Sequence, residues 1–148
     1  MLSHIFIGKK CKEAGFGFVF HNHDQEFVKY ENETGFDILI QNTDPALVQV
    51  EMDIYWVIKG GDDPVKYFKK YPGRFPLLHV KDMDKTPEQE RTCVGYGSIN
   101  FAEILAHTDI AGVKYNIVEH EAAEPGIQID CMKDSYKYLS SLELNKSI

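Results

Sequence analysis

Four short apolar runs, residues 16–20, 48–52, 76–80 and 114–118, each give way at their C-terminal end to ionisable residues. Runs this short, rich in β-branched and aromatic residues, read as buried strands. Helical signals separate them. Residues 36–41 suit a short helix, and Asp44-Pro45 supplies an N-cap and first position for one more turn. Gly60-Gly61 stops a short apolar helix. Asp63-Pro64 starts another over 65–71, closed by Pro72-Gly73, and Asn100 caps one running to about His107. Residues 2–14 form an opening helix ended by Gly15, with Lys9, Lys10 and Lys12 late, where the macrodipole favours cations. In the tail, Ile129, Met132, Tyr136, Leu139 and Leu142 mark an amphipathic helix over 129–142. Nothing reads as a hairpin turn, so the strands are expected to pair in parallel through right-handed crossovers. Their nearly uniform apolarity predicts burial on both faces. In a parallel α/β sheet or barrel, the C-terminal edge of the strands is where ligands bind.

Length and charge narrow the field. The 148 residues predict one domain over 1–148, and 16 Lys and Arg against 23 Asp and Glu leave a net charge of −7. That balance argues against a nucleic-acid binder, which needs a basic stripe on the phosphates. No apolar run approaches the ~18 residues of a membrane span, and no charged-then-apolar leader opens the chain, so no membrane partner is expected. Cys11, Cys93 and Cys131 are odd in number and far apart, without CxxC spacing. They read as reduced thiols of a cytoplasmic protein, with Cys11 and Cys131 packed in the core.

The chemistry gathers at the strand ends: His21, His23 and Glu26 after the first, Asp53 after the second, His79 and Lys81 at the third, Glu119 after the fourth. Residues two apart on a strand share a face, which pairs His21 with His23, Glu51 with Asp53, His79 with Lys81 and Glu119 with Glu121. Carboxylates crowded on one rim repel unless a cation sits among them. Oxygen donors with one imidazole suit Mn²⁺, Mg²⁺ or Zn²⁺. Gly95-Tyr96-Gly97 does not directly follow a strand and reads as a turn rather than a phosphate cradle. Tyr55-Trp56 suits either the core or a surface on which a sugar ring stacks.

The segments GFVFHNHDQEF (16–27), VQVEMDIYWV (48–57), PLLHVKD (76–82), VGYGSINF (94–101) and YNIVEHE (115–121) resemble the sugar phosphate isomerase/epimerase family, the xylose isomerase-like TIM barrels. The resemblance implies an α/β fold: the C-terminal half of a (β/α)₈ barrel, four parallel βα units corresponding to strands five to eight. It also implies a divalent metal ion held by Glu, Asp, His and Glu at those strand ends, hence Asp53, His79 and Glu119. For the first ligand, strand register points to His21 and the nearest carboxylate is Glu26; Glu26 is the favoured ligand and His21 its substitute or a substrate contact. Trp56 stands where many epimerases carry a substrate-contacting His, which implies a different small sugar. The implied reaction is isomerisation or epimerisation of a sugar or sugar phosphate by proton transfer next to a carbonyl, through an enediolate. Glu26 and Glu119 serve as base and acid on opposite faces, with His23 and Lys81 on the developing oxyanion. A lyase or dehydratase would use the same site.

A complete barrel has eight strands and about 250 residues. Half a barrel leaves two open sheet edges and an exposed interior, so a partner is expected, either a second copy in a homodimer or a separate chain. The alternative is a catalytically silent truncated half-barrel or assembly subunit. A DNA-repair nuclease of the same fold is disfavoured by the acidic charge and by only six His.

Overall fold

The computed structural model describes residues 2–120 and 127–144. Four strands, β1 (Val19–His21), β2 (Gln49–Asp53), β3 (Leu77–Val80) and β4 (Tyr115–Val118), form one parallel sheet in chain order. Register places His21 beside Glu51, Asp53 beside His79, and His79 beside Ile117. The ends of all four strands therefore fall on one rim. Helices connect them: α1 (Leu2–Glu13), α2 (Gly35–Gln41), α3 (Ile54–Lys59), α4 (Pro64–Lys70), α5 (Phe101–Leu105), α6 (Thr108–Ala111) and α7 (Ile127–Leu144). Side chains cap four of these, at Asp63 and Asn100 as the sequence suggests. Thr34 accepts from the Asp37 amide, Asp53 from Trp56, Asp63 from Val65 and Asn100 from Glu103.

Val50, Met52, Leu78 and Val80 point to one side of the sheet and are buried against Phe36, Ile40, Ile54, Val57, Tyr67, Phe68 and Phe75. The alternate residues Gln49, Glu51, Leu77 and His79 point to the other side and are only half-buried. Tyr115 and Ile117 on β4 are exposed there. The expected burial on both faces therefore holds on one face only. The core lies between the sheet and its helices, and the other side faces the space that the remaining barrel would enclose.

Several further expectations are corrected. Two antiparallel ribbons exist: Lys29–Tyr30 pairs with Glu33–Thr34, and Asp82–Met83 with Arg91–Thr92. Their two-residue strands are too short to leave an alternating pattern. The helix after Asn100 ends at Leu105, and α6 follows before Gly112 closes it at φ 77°. Cys93 and Cys131 are joined in a disulfide, and Cys11 alone is free. Their separation of 38 residues gives no local signal; α7 folding back over the loop after β3 brings them together. On α7 itself, Cys131 and Ser135 are buried and Tyr138, Leu139 and Leu142 pack on the core, while Ile129, Met132 and Tyr136 are exposed. The apolar stripe read from the sequence is thus split between two directions. No helix among the described residues is long and apolar enough to cross a membrane.

Candidate active site

Backbone geometry at the end of β2 sets the site. Asp53 is the last residue of the strand and the N-cap of α3, so its carboxylate is divided between two tasks. Oδ1 accepts from the Trp56 amide at 3.1 Å. Oδ2 is left pointing across the rim, buried and without a hydrogen-bond partner. It lies 3.4 Å from His21 Nε2, 3.7 Å from His79 Nδ1 and 3.6 Å from Lys81 Nζ. Buried Asn22 holds the same residue through its backbone, accepting from the Asp53 amide and donating to the Asp53 carbonyl.

Glu119 completes the group from β4. Its Oε2 is 3.0 Å from His79 Nδ1 and 3.1 Å from Lys81 Nζ. Lys81, 2% exposed, thus has its ammonium beside two carboxylates. The His21 and His79 rings meet edge to face at 4.8 Å. His23 stacks on His21 at 5.1 Å, and half-buried Trp56 lies 5.4 Å from His23 with its face 5.8 Å from Lys81 Nζ. Tyr55 is fully buried in the core, so only the second of the two aromatics reaches the rim. Asp53 beside His21 holds that imidazole above its ordinary pKa, although burial works the other way.

The donor set fits a metal ion. His21 Nε2, Asp53 Oδ2 and His79 Nδ1 are all buried, all lack a hydrogen bond, and lie within 4.8 Å of one another. Buried polar atoms are normally hydrogen-bonded, and three without a hydrogen bond this close together are what a cation would satisfy. Among the expected residues, His21, Asp53, His79, Lys81 and Glu119 converge, with His23 and Trp56 at the margin. Glu26 does not join them: Oε2 accepts from the His23 amide at 2.6 Å and Oε1 from the Gln25 side chain, within the short 3₁₀ turn Asp24–Phe27. Glu121 lies outside the described residues.

Two further residues support the site. One is Asn22. The other is buried Asp82, whose carboxylate accepts from the amides of Met83, Gly95, Gly97 and Ile99. The glycine loop is therefore a nest for an anion, and the anion is the chain's own. The spacing from Asp82 to Gly95 and Gly97 is the only trace of this in the sequence.

Four parallel βα units with ionisable groups on the C-terminal rim define a partial TIM barrel. The chain belongs to the xylose isomerase-like TIM-barrel group that contains the sugar phosphate isomerases/epimerases. A sugar phosphate isomerase/epimerase from Parabacteroides distasonis superimposes with a TM-score of 0.77 at 31% identity, covering 92% of this chain and 50% of that one. Inosose dehydratase 1 of Bacillus cereus (strain ZK / E33L) is 31% identical over 134 residues, 78% of this chain and 44% of that protein. Inosose dehydratase of Clostridium tetani is 34% identical over 77 residues, 52% and 25% respectively. The matches span half or less of the length of these relatives. No protein-family profile matches the chain.

Proposed function

We propose that this chain is the rim-bearing half of a metal-dependent sugar isomerase or epimerase, which moves a proton at the carbon next to a carbonyl. The observation that carries this reading is the convergence of His21, Asp53, His79, Lys81 and Glu119 from four strand ends. His21, Asp53, His79 and Glu119 are the residues to hold a divalent ion such as Mn²⁺, Mg²⁺ or Zn²⁺, which when bound supplies Lewis-acid polarisation of the substrate carbonyl.

The chain's own groups do the rest. Glu119, the more exposed of the two rim carboxylates, takes the proton. The buried ammonium of Lys81 faces the negative charge that develops on the substrate oxygen. Trp56 provides an apolar wall for the C–H face of a small sugar. Glu26 is the acid or base for the opposite face, and it acts by exchanging its bond to the His23 amide for one to substrate. The remaining wall comes from a second copy or a separate segment. Tyr115 and Ile117, 67% and 40% exposed on the uncovered side, support that completion.

The names of the relatives favour a second reading, dehydration of an inosose-like keto-sugar. It begins with the same proton removal and differs in that a hydroxyl on the next carbon then leaves as water. NMR of an inosose and a panel of keto-sugars in D₂O with Mn²⁺ separates the cases. Deuterium beside the carbonyl in a product of unchanged formula supports isomerisation or epimerisation, and an enone-type product with loss of water supports dehydration. Neither outcome, under conditions where the metal binds, leaves the catalytically silent half-barrel. Asp53→Ala, His79→Ala and Glu119→Gln should each abolish the signal; turnover retained in the first two rejects the metal-dependent reading.

A further inference from the structure

A second cluster of donor atoms lies where the loop after β3, the end of β4 and α7 meet. Cys93 follows the ribbon strand Arg91–Thr92, His120 follows Glu119, and Cys131 sits in the first turns of α7. Each offers one ligand atom, and the three atoms lie within 4.8 Å of one another. The sulfurs are bonded, with Cα atoms 5.3 Å apart. His120 Nδ1 is buried with no hydrogen-bond partner, the kind of atom that proteins seldom leave unsatisfied.

We propose that, with the disulfide reduced, Cys93, Cys131 and His120 form a zinc site separate from the rim site. Two thiolates and an imidazole are the donors Zn²⁺ takes in preference to the harder ions that suit carboxylates. Three protein ligands leave one position for water or another exogenous group. The donors stay together when the S–S bond opens, because other contacts fix the same two segments. The Val94 amide donates to Ser135 Oγ at 3.2 Å, and the Tyr96 hydroxyl to Asp134 at 2.8 Å. Gly95, at φ 96°, lies so close to the Tyr138 ring that a Cβ there would clash with it.

The change of state balances with a dithiol as reductant. Its thiolate attacks one sulfur of the pair and releases the other as a thiolate; its second thiol then resolves the mixed disulfide, so two electrons pass to the cysteines and the reductant leaves oxidised. Binding of Zn²⁺ displaces the two cysteine protons to solvent. A small-molecule disulfide reverses the process, re-forming the bond and expelling the metal.

Cobalt(II) reports on thiolate ligands through a near-ultraviolet charge-transfer band that carboxylate and imidazole ligands do not give. The experiment uses the chain with Cys11→Ser, reduced and freed of reductant under inert gas, titrated with Co²⁺ and then with Zn²⁺. The expected result is a thiolate band that saturates at one equivalent and is bleached by Zn²⁺. The oxidised protein should give none, Cys131→Ser should lose it, and His120→Ala should need at least tenfold more Co²⁺. Asp53→Ala, which removes a rim ligand, should leave it unchanged, so failure of the rim site and failure of this one are told apart. No band in the reduced protein, an undiminished band in Cys131→Ser, or loss in Asp53→Ala overturns the proposal.

Discussion

Asn22 grips Asp53 by both backbone groups: its amide nitrogen donates to the Asp53 carbonyl at 3.2 Å, and its oxygen accepts from the Asp53 amide at 3.0 Å. This closes β1 onto the end of β2 where the ladder stops, and it aims the carboxylate that anchors the rim. Asn22→Ala leaves two buried backbone groups without partners and should cost about 2 kcal/mol in urea denaturation. It should also weaken Mn²⁺ binding by calorimetry, whereas Gln49→Ala, on the strand that carries Asp53 but away from the rim, should leave binding intact. Unaltered metal affinity in Asn22→Ala would mean that Asp53 is held by α3 alone.

Asp82 does for the loop 94–99 what Asn22 does for the rim. Four amides converge on one buried carboxylate, and hydrogen bonds to charged groups are among the stronger ones. Asp82→Ala strands all four donors and should destabilise the chain by roughly 3 kcal/mol or more; Asp82→Asn keeps the shape but loses the charge and should cost less. Gly97→Ala should resemble Asp82→Ala, since a Cβ there would collide with the Met83 carbonyl and the Asp82 carboxylate. Thermal unfolding of the three variants checks the order.

What is legible in the residues alone, and what is not, follows from the range of the interactions. The strand ends carrying Asp53, His79 and Glu119 stand out because apolar runs, caps and turn residues are local signals, and a parallel sheet then brings the ends together whatever the loops do. Asp63 and Asn100 as caps are legible for the same reason. Asn22 and Asp82 look like ordinary polar loop residues, since their partners lie 31 and up to 17 positions away. The Cys93–Cys131 bond and the split face of α7 are likewise tertiary facts. Glu26 is legible as a carboxylate just after a strand end, but its bonds to the His23 amide and the Gln25 side chain within its own turn are not, nor is the place of His21 on the rim.

Acid should unfold this chain partly through Asp37. Burial pushes its carboxyl up, but hydrogen bonds from Lys70, Tyr71 and Thr34 outweigh that and hold it below the ordinary value of 3.8. A carboxylate depressed in the folded state adds stability that is fully present above its unfolded pKa and fades as pH falls through the lower folded value. Stability should therefore drop below about pH 4. Asp37→Asn should be less stable than the parent at pH 7 by roughly 1.5–3 kcal/mol, with the gap narrowing toward pH 3. A constant gap across that range assigns the acid loss to other groups.

Lys81 separates affinity for the metal from turnover. Its ammonium lies 3.6 Å from Asp53 Oδ2 and 3.1 Å from Glu119 Oε2, so it already neutralises part of the charge that a divalent ion would neutralise. Like charges a few ångströms apart interact by several kcal/mol when partly screened by protein, and that repulsion opposes the ion. Lys81→Met keeps most of the buried volume and removes the charge. Mn²⁺ should then bind roughly tenfold or more tightly, since the two carboxylates lose their competing partner. Proton exchange at the substrate should nevertheless fall by about a hundredfold or more, because the ammonium that faces the developing oxyanion is gone and the metal ion alone is left to stabilise it. The two readouts move in opposite directions only if Lys81 both competes with the ion and serves the reaction. Weaker metal binding together with lost turnover would show instead that Lys81 holds the rim in shape, and that the carboxylates spread apart without it.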